Sequence, residues 1–373
     1  MVGGKTAVSV DTLGSLLREG ATLRVEDGGK ERAEETKKSP PATTPEYDSF
    51  LRFAERCKWK FDDEAKLFPG SRPIDRASGV RMADVTERYL VGSRPLVVTD
   101  ALSDWKARST WSPDYFSSTF GDTAVICNDR APARIKDRAA GRPQKSVKMP
   151  LKRYVSYMKA FKHENDEGDP PLYLNGWHAF KTHPGLLDDV DYATSSPYFV
   201  EDHTRMILGE IDKAITGRGK ASAPGASGGE WIHSTDVLLN KVFMGPAGNI
   251  TRLHFDAHRA HGWLAQVKGR KLFLLYPPRD TPKLYPLEGE ATTQSPVDPL
   301  IPMADHRERY PDFERAELFS CVLEEGATLL IPEGWWHYAV SLSPSITVMR
   351  NFYNALTNVN GLVQLFANLR KKK

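Results

Sequence analysis

Short apolar runs, broken by glycine, proline and asparagine, fill the last third of the chain. Between about 235 and 355 they include LLNKVFMG, HFDAH, GWLAQVKGRKLFLLYPP, ATLLIPEGWWHYAVSL and SITVMRNFY. Apolar runs of this length, bounded by turn residues, are typical of β-strands. No long helical pattern separates them, which favours an antiparallel barrel or sandwich. The pattern therefore predicts a mostly-β core over residues 231–356.

The region before this core mixes strand and helix patterns, and we predict an α/β region packed on the core over residues 46–230. RPLVVTDAL and PLYLNGW have the apolar runs of strands, and LKRYVSYMKAF has an amphipathic helical pattern. WSPDYFSSTFG predicts a helix that Ser112 can cap and Gly121 can end. Short helices and strands are therefore expected to precede the core.

Three stretches have little to bury. Residues 1–45 are rich in charge, proline and threonine and are predicted to be disordered, and residues 217–230, GRGKASAPGASGGE, are predicted to be flexible. Residues 357–373 are predicted to form a C-terminal helix and a basic tail. The terminal RKKK could serve as a nuclear signal, although a solvated tail is the simpler interpretation.

Composition narrows the environment more than the function. The formal net charge is +3, and the three cysteines (Cys57, Cys127 and Cys321) lie far apart in the chain. They favour a reducing compartment over a disulfide framework or a cysteine-based zinc site. With no apolar run long enough for a membrane helix and a start unlike a secretory signal, we expect a cytoplasmic or nuclear protein without membrane contact. The oligomeric state stays open.

One internal segment is strongly basic. Residues 134–153 hold eight basic residues and one acidic residue. The segment can be a solvated loop, or it can guide an acidic or nucleic-acid partner toward the protein. The sequence leaves both interpretations open.

The stretch HFDAH supplies two candidate metal ligands. In a strand, residues i and i+2 share a face, so His254 and Asp256 point the same way. His337, which opens a strand after the turn in PEGWWHYAV, can supply a third ligand. Two histidines and one carboxylate are the facial ligand set of non-haem Fe(II) sites that react with oxygen. We therefore predict a metal site at His254, Asp256 and His337.

Two further histidines follow this pair. His254 and His258 would share a face on a helix and could bind zinc there, but helical phasing would turn Asp256 away. The HExxH signature is absent. We therefore expect His258 and His261 to lie near the substrate entrance or the surface and not to bind the metal.

Lys271 lies seventeen residues after His254, on a strand where it shares a face with Phe273 and Leu275. A lysine aimed into a barrel is unfavourable unless it meets an anion. The far carboxylate of a dicarboxylate cosubstrate would be such an anion. The alternative is an exposed lysine on an edge strand.

The order of these motifs resembles a known family. MGPAGNITRLHFD, GWLAQVKGRKLFLLYPP, EEGATLLIPEGWWHYAV and MRNFY are similar to successive motifs of the JmjC, or cupin-like, Fe(II) and 2-oxoglutarate dioxygenases. With upstream segments, the resemblance covers roughly residues 70–360. The spacing resembles the small JmjC-only hydroxylases of the lysyl hydroxylase (phosphatidylserine-receptor-like) type. The insertion QSPVDPLIPMADHRERYPDFERAE is more similar to the asparaginyl hydroxylase that acts on hypoxia-inducible factor.

The resemblance implies a double-stranded β-helix (jelly-roll, or cupin) with N-terminal helices and strands, and it implies site residues. His254, Asp256 and His337 would bind Fe(II). The sites implied for 2-oxoglutarate or its surroundings are Lys271, Thr251, Tyr173 and Asn351. Strand parity does not agree between Thr251 and His254, so the strand must bend between them.

Two positions depart from the family pattern. Leu264 stands where lysyl-hydroxylase-like relatives carry an active-site asparagine, which weakens assignment to that subgroup. Glu325-Gly326-Ala327 replaces a Pro-Gly-Asp turn, a change expected to affect only the surface.

The implied function is hydroxylation of a side chain in a protein substrate, with Fe(II), 2-oxoglutarate and O2 required and succinate and CO2 as coproducts. Alternatives within the family are N-methyl demethylation of histone or arginine residues and hydroxylation of RNA. The three scattered cysteines cannot form a zinc-finger domain that reads histones. This favours hydroxylation over histone demethylation. The alternative outside enzymology is a catalytically silent cupin that binds a partner or a small acid.

Overall fold

The structure is a computed structural model that describes residues 68, 70–128, 146–161, 171–190, 199–216, 227–288, 292–300 and 307–371. The predicted disorder of residues 1–45 lies outside these residues, as does most of the basic segment. The strands are β1 (Arg72–Pro73), β2 (Asp75–Ala77), β3 (Leu96–Val98), β4 (Ala124–Asn128), β5 (Ser146–Pro150), β6 (Leu174–Trp177), β7 (Asn240–Gly245), β8 (Ile250–His254), β9 (His261–Lys268), β10 (Lys271–Tyr276), β11 (Phe319–Leu323), β12 (Thr328–Ile331), β13 (Trp336–Ser341) and β14 (Ser345–Phe352).

Helices are short before the core and longer around it. They are α1 (Met82–Val85), α2 (Ala107–Thr110), α3 (Pro113–Phe120), α4 (Leu151–Ala160), α5 (Ala179–Thr182), α6 (Thr204–Thr216), α7 (Ser227–Leu238) and α8 (Val359–Lys371). A π-helical turn spans Thr86–Val91, and 3-10 turns span Pro184–Asp189, Ala257–Arg259, Pro278–Leu284 and Phe313–Arg315. None of the described helices combines the length and apolar character that crossing a membrane would require.

Two sheets form the core. The first has the strand order β1-β11-β10-β13-β8 and the second β2-β3-β12-β9-β14-β7-β6, while β4 and β5 form a separate pair. All pairings within the two large sheets are antiparallel except β1 with β11 and β2 with β3. Among the described strands no ladder joins the two sheets, so they form an open cupin-like sandwich. The predicted mostly-β jelly-roll fold with N-terminal helices is confirmed.

Alternation along β10 sets the inner and outer faces of the first sheet. Phe273 and Leu275 belong to a buried cluster that also draws on β3 and β12 of the second sheet, so this cluster lies between the sheets. Leu272 and Leu274 belong to another cluster, which packs beneath the insertion between β10 and β11. Lys271 shares parity with the inner residues, as predicted, and it is buried, which excludes the alternative of an exposed lysine on an edge strand.

The helix predicted in WSPDYFSSTFG forms as α3. The Ser112 hydroxyl accepts a hydrogen bond from the Tyr115 backbone N–H at 3.0 Å, and the helix ends before Gly121. The cap satisfies an N–H group that has no partner within the helix.

The prediction of a flexible stretch over 217–230 is wrong for its last four residues. Residues 217–226 lie outside the described part of the chain, but 227–230 form the first turn of α7. Glycine and serine have low helix propensity, which is why these four residues were predicted to be flexible. Contacts of the C-terminal part of α7 with the core can outweigh that low propensity. Asp236, near the end of α7, forms a buried ion pair with Arg350 on β14 and a partly exposed ion pair with Arg205 on α6.

Candidate metal centre

The pairing of β8 with β13 brings the predicted metal ligands together. His254 lies opposite His337, and their ring centroids are 4.1 Å apart. Two residues of β8, Arg252 and Leu253, oppose one residue of β13, Tyr338, between the His254–His337 and Thr251–Ala339 pairs, so β8 contains a bulge. This bulge is the predicted bend, and it turns both Thr251 and His254 toward the inner face.

Asp256 completes the group at the end of the strand. Its Oδ1 lies 3.9 Å from Nε2 of His254. One ligand atom from each of His254, Asp256 and His337 lies within 4.8 Å of the others. His337 is buried, whereas His254 and Asp256 are partly exposed, so the group opens to solvent on the side of β8.

Backbone carbonyls fix the orientation of both imidazole rings. Nδ1 of His254 lies 2.7 Å from the Arg252 carbonyl, and Nδ1 of His337 lies 3.1 Å from the Trp335 carbonyl. A carbonyl can only accept, so each Nδ1 carries a proton, and in a neutral ring the lone pair then lies on Nε2. Asn351 Nδ2 donates to Asp256 Oδ2 at 3.0 Å, which leaves Oδ1 toward the histidines. The donor set therefore fits a divalent metal with its outer hydrogen bonds in place.

Lys271 lies deeper on the same inner face. Its ammonium is buried and donates to the Tyr173 hydroxyl at 3.0 Å. The ammonium also lies 5.5 Å and 5.6 Å from the ring centroids of Tyr173 and Phe243. Within the described residues no carboxylate forms an ion pair with Lys271. This arrangement leaves a buried cation beside two aromatic rings, an environment suited to a carboxylate.

The remaining residues that the resemblance implies surround this region. Thr251 is partly buried on the bulged strand. It lies opposite Ala339, which is two residues after His337 on β13. Asn351 contacts the Asp256 carboxylate and, at 3.5 Å, the His261 carbonyl. Leu264 is partly buried and packs against the cluster between the sheets. The departure at Leu264 therefore makes the wall of the site more apolar.

The expectation that His261 lies near the entrance or the surface is wrong. His261 is fully buried on β9, its Nδ1 accepts from the Glu333 backbone N–H at 2.9 Å, and its Nε2 lies 2.7 Å from the Thr357 hydroxyl. Burial, with a smaller contribution from Arg259, lowers the pKa of His261 to about 3. Its neutral ring therefore joins two loops. His258 is partly buried and lies outside the metal group.

Sequence reasoning missed several neighbours of the ligands. Gly262 lies opposite Asn351, and a Cβ there would be 2.8 Å from Asp256 Oδ2. Arg259 forms a bidentate ion pair with Glu333. Glu333 and Gly262 both belong to the quoted motifs, but only the register between strands that are distant in sequence shows which residues they contact.

A cavity of about 500 Å³ opens beside the loops that carry the ligands. Its wall includes Phe255, Arg259, Glu333 and Leu356. Leu356 is 60% exposed, so the wall of this cavity has an apolar side chain in contact with solvent. The other candidate contact region, basic residues 134–153, is described only from residue 146 onward.

Comparison with known proteins decides the family. A profile described as "Cupin-like domain" matches residues 82–358. The chain belongs to the cupin-like JmjC family. The family prediction made from the motifs is thereby confirmed.

Relatives of this JmjC chain carry several names. It is 40% identical over 306 residues to "Lysine-specific demethylase 8" of Danio rerio, covering 79% of this chain and 62% of the relative. It is 28% identical over 291 residues to "2-oxoglutarate and iron-dependent oxygenase JMJD4" of Gallus gallus, covering 75% and 60%. It is 25% identical over 291 residues to "Arginine-specific demethylase JMJ20" of Arabidopsis thaliana, covering 76% and 57%. The chain thus spans less than two thirds of the length of these relatives.

Proposed function

We propose that this JmjC chain is an Fe(II)- and 2-oxoglutarate-dependent dioxygenase that hydroxylates a side chain of a protein substrate. The observation that carries the proposal is the placement of a two-histidine, one-carboxylate group and a buried lysine on the inner face of one sheet. The name of the Gallus gallus relative, an iron- and 2-oxoglutarate-dependent oxygenase, supports the same chemistry.

His254, Asp256 and His337 would hold the iron through Nε2, Oδ1 and Nε2. The Arg252 and Trp335 carbonyls keep both histidines in the required tautomer. When bound, iron and 2-oxoglutarate activate O2 and oxidise the substrate, with succinate and CO2 as coproducts.

Lys271, Tyr173 and Thr251 would hold the far carboxylate of 2-oxoglutarate. The Lys271 ammonium supplies the charge and the Tyr173 hydroxyl a further hydrogen bond. Leu264, Phe273 and Ala339 form the apolar part of the interior and keep water from the bound acid. Asn351 acts on the metal side, because it bonds Asp256 Oδ2.

The cavity beside Phe255 and Leu356 supports a protein substrate. Its wall includes Phe255, which lies between His254 and Asp256 in the chain, and it combines apolar side chains with the Arg259–Glu333 ion pair, a lining that suits a peptide. The names of the demethylase relatives favour a second candidate, oxidation of an N-methyl group on lysine or arginine.

The test is turnover by purified protein supplied with Fe(II), 2-oxoglutarate and peptide libraries with and without methylated residues. We expect succinate formation that depends on iron and stops in His254→Ala, while His233→Ala, an exposed histidine on α7, stays active. Mass spectrometry separates the two candidates, because hydroxylation adds one oxygen and demethylation removes one methyl. Absence of both metal and 2-oxoglutarate binding would show a silent cupin.

A further inference from the structure

The loop between Asp256 and β9 has an unusual backbone. His258 and Arg259 both have positive φ, at 58° and 53°. Non-glycine residues adopt this left-handed conformation rarely, and two in succession persist only when surrounding contacts impose them. The loop begins directly after a metal ligand, so its conformation sets where the Asp256 backbone lies.

Arg259 ties this loop to the turn before the third ligand. Its Nε and guanidinium NH2 donate to the two carboxylate oxygens of Glu333 at 3.0 Å and 2.9 Å. Glu333 lies four residues before His337, and Arg259 lies three residues after Asp256. One bidentate ion pair therefore joins the two chain segments that supply ligands from opposite strands.

Other contacts hold the same loop from below. Asn358 Nδ2 donates to the Arg259 carbonyl at 2.8 Å. The first turn of α8 packs so closely that a Cβ on Gly361 would lie 2.0 Å from the His258 carbonyl oxygen. His261 accepts the Glu333 backbone N–H, so the turn and the loop are connected twice. The loop and the turn thus form one connected unit around the metal group.

We propose that Arg259 and Glu333 form a positioning clamp that holds Asp256 and His337 at the separation a metal ion requires. Neither residue touches the metal; both act through the backbone of the ligands. The clamp rests on the proposed metal site. The ion pair also lines the cavity of about 500 Å³, so a substrate bound in that cavity would contact it.

The test measures metal binding without turnover. Free Mn(II) is followed by electron paramagnetic resonance during titration of the wild-type protein, Arg259→Ala and Glu333→Gln. We expect each variant to weaken Mn(II) binding about tenfold, near the lower end of what loss of a partner around a metal site produces. Glu333→Gln keeps the size of the side chain and the backbone N–H that His261 accepts, so it remains informative where Arg259→Ala disturbs folding.

The matched control is Arg307→Ala. Arg307 and Glu314 form a bidentate pair of the same geometry, at 3.1 Å and 2.8 Å, on the exposed insertion. This control should bind Mn(II) like the wild type. Arg259→Ala combined with Glu333→Gln should bind Mn(II) no more weakly than either single variant, because the pair acts as one unit.

The outcomes separate the clamp from the proposed function. Wild-type affinity in both Arg259→Ala and Glu333→Gln would overturn the clamp and leave the metal site standing. A wild-type protein that binds no Mn(II) would overturn the metal site and the clamp together. Weaker binding in the clamp variants with an unchanged melting temperature of the metal-free protein supports the clamp.

Discussion

At the scale of single residues, Gly262 occupies a position where even the smallest side chain would meet the carboxylate of Asp256, a proposed metal ligand. A Cβ there would lie 2.8 Å from Asp256 Oδ2, closer than real side chains approach. Gly262→Ala should therefore displace Asp256 and weaken Mn(II) binding at least about tenfold. Gly185→Ala is the matched control, because nothing lies within 4 Å of its added Cβ. Unchanged Mn(II) affinity in Gly262→Ala would contradict this reason for the glycine.

Lys271 tests the other half of the site. Its buried ammonium faces the Tyr173 hydroxyl and has no carboxylate partner among the described residues. Lys271→Met keeps most of the aliphatic stem and removes the charge, so 2-oxoglutarate binding should weaken about 10- to 100-fold, as expected for loss of a charged hydrogen bond. Mn(II) binding should stay unchanged, and calorimetric titration of each ligand checks both points. Lys268→Ala, which removes a partly exposed lysine paired with Glu325, serves as the control.

At the scale of elements, a buried ion network fastens α6 and α7 to β14. Arg350 pairs with Asp236 at 2.6 Å and with Asp202 at 2.5 Å, and Arg205 pairs with Asp236 at 2.7 Å. Arg350 and Asn351 are neighbours on β14, so the strand that contacts these helices also presents the amide that holds Asp256. The network therefore stabilises the strand that supports the metal group.

Asp236→Asn should destabilise the fold by about 3 kcal/mol, because it removes one of the two carboxylates that pair with the buried Arg350. Burial alone would raise the pKa of Asp236, but Arg350 and Arg205 offset it and hold that pKa below its usual value. A depressed carboxyl pKa contributes stability above the ordinary pKa of about 4 and loses it as the pH falls through the folded value. Denaturant unfolding at neutral and acidic pH measures both effects. Lys213→Ala, which breaks an exposed pair with Glu210, should cost less than about 1 kcal/mol.

The same scale shows which parts of the site could be predicted from the sequence alone. Strand parity and a turn were enough to predict His254, Asp256 and His337 as a group, because each rule is local. The parity conflict at Thr251 also predicted the bend that appears as a bulge. The partners of His261 could not be predicted, because Glu333 and Thr357 lie 72 and 96 residues away. Local rules find ligands, whereas only the register between strands finds what orients them.

At the scale of the whole molecule, Lys271 and the metal group lie on the same sheet but at different positions along its strands. Lys271 lies opposite Ser341 on β13, whereas Leu275 lies opposite His337. Lys271 and the position opposite His337 are therefore four positions apart along β10. In the proposed site, a dicarboxylate that spans this distance would bind the metal at one end and Lys271 at the other. The two binding events are therefore coupled through the ligand itself.

This coupling predicts how ligands change the stability of the complete protein. Mn(II) at 100 times its dissociation constant should add about 2.7 kcal/mol to the free energy of unfolding, and a chelator should remove the gain. Adding 2-oxoglutarate should stabilise the protein strongly with Mn(II) present and weakly without it, because without metal only Lys271 and its neighbours hold the acid. Thermal unfolding with each ligand alone and with both measures this difference, with His337→Ala as the variant that loses it. Equal stabilisation by 2-oxoglutarate with and without Mn(II) would show that the acid binds away from the metal group.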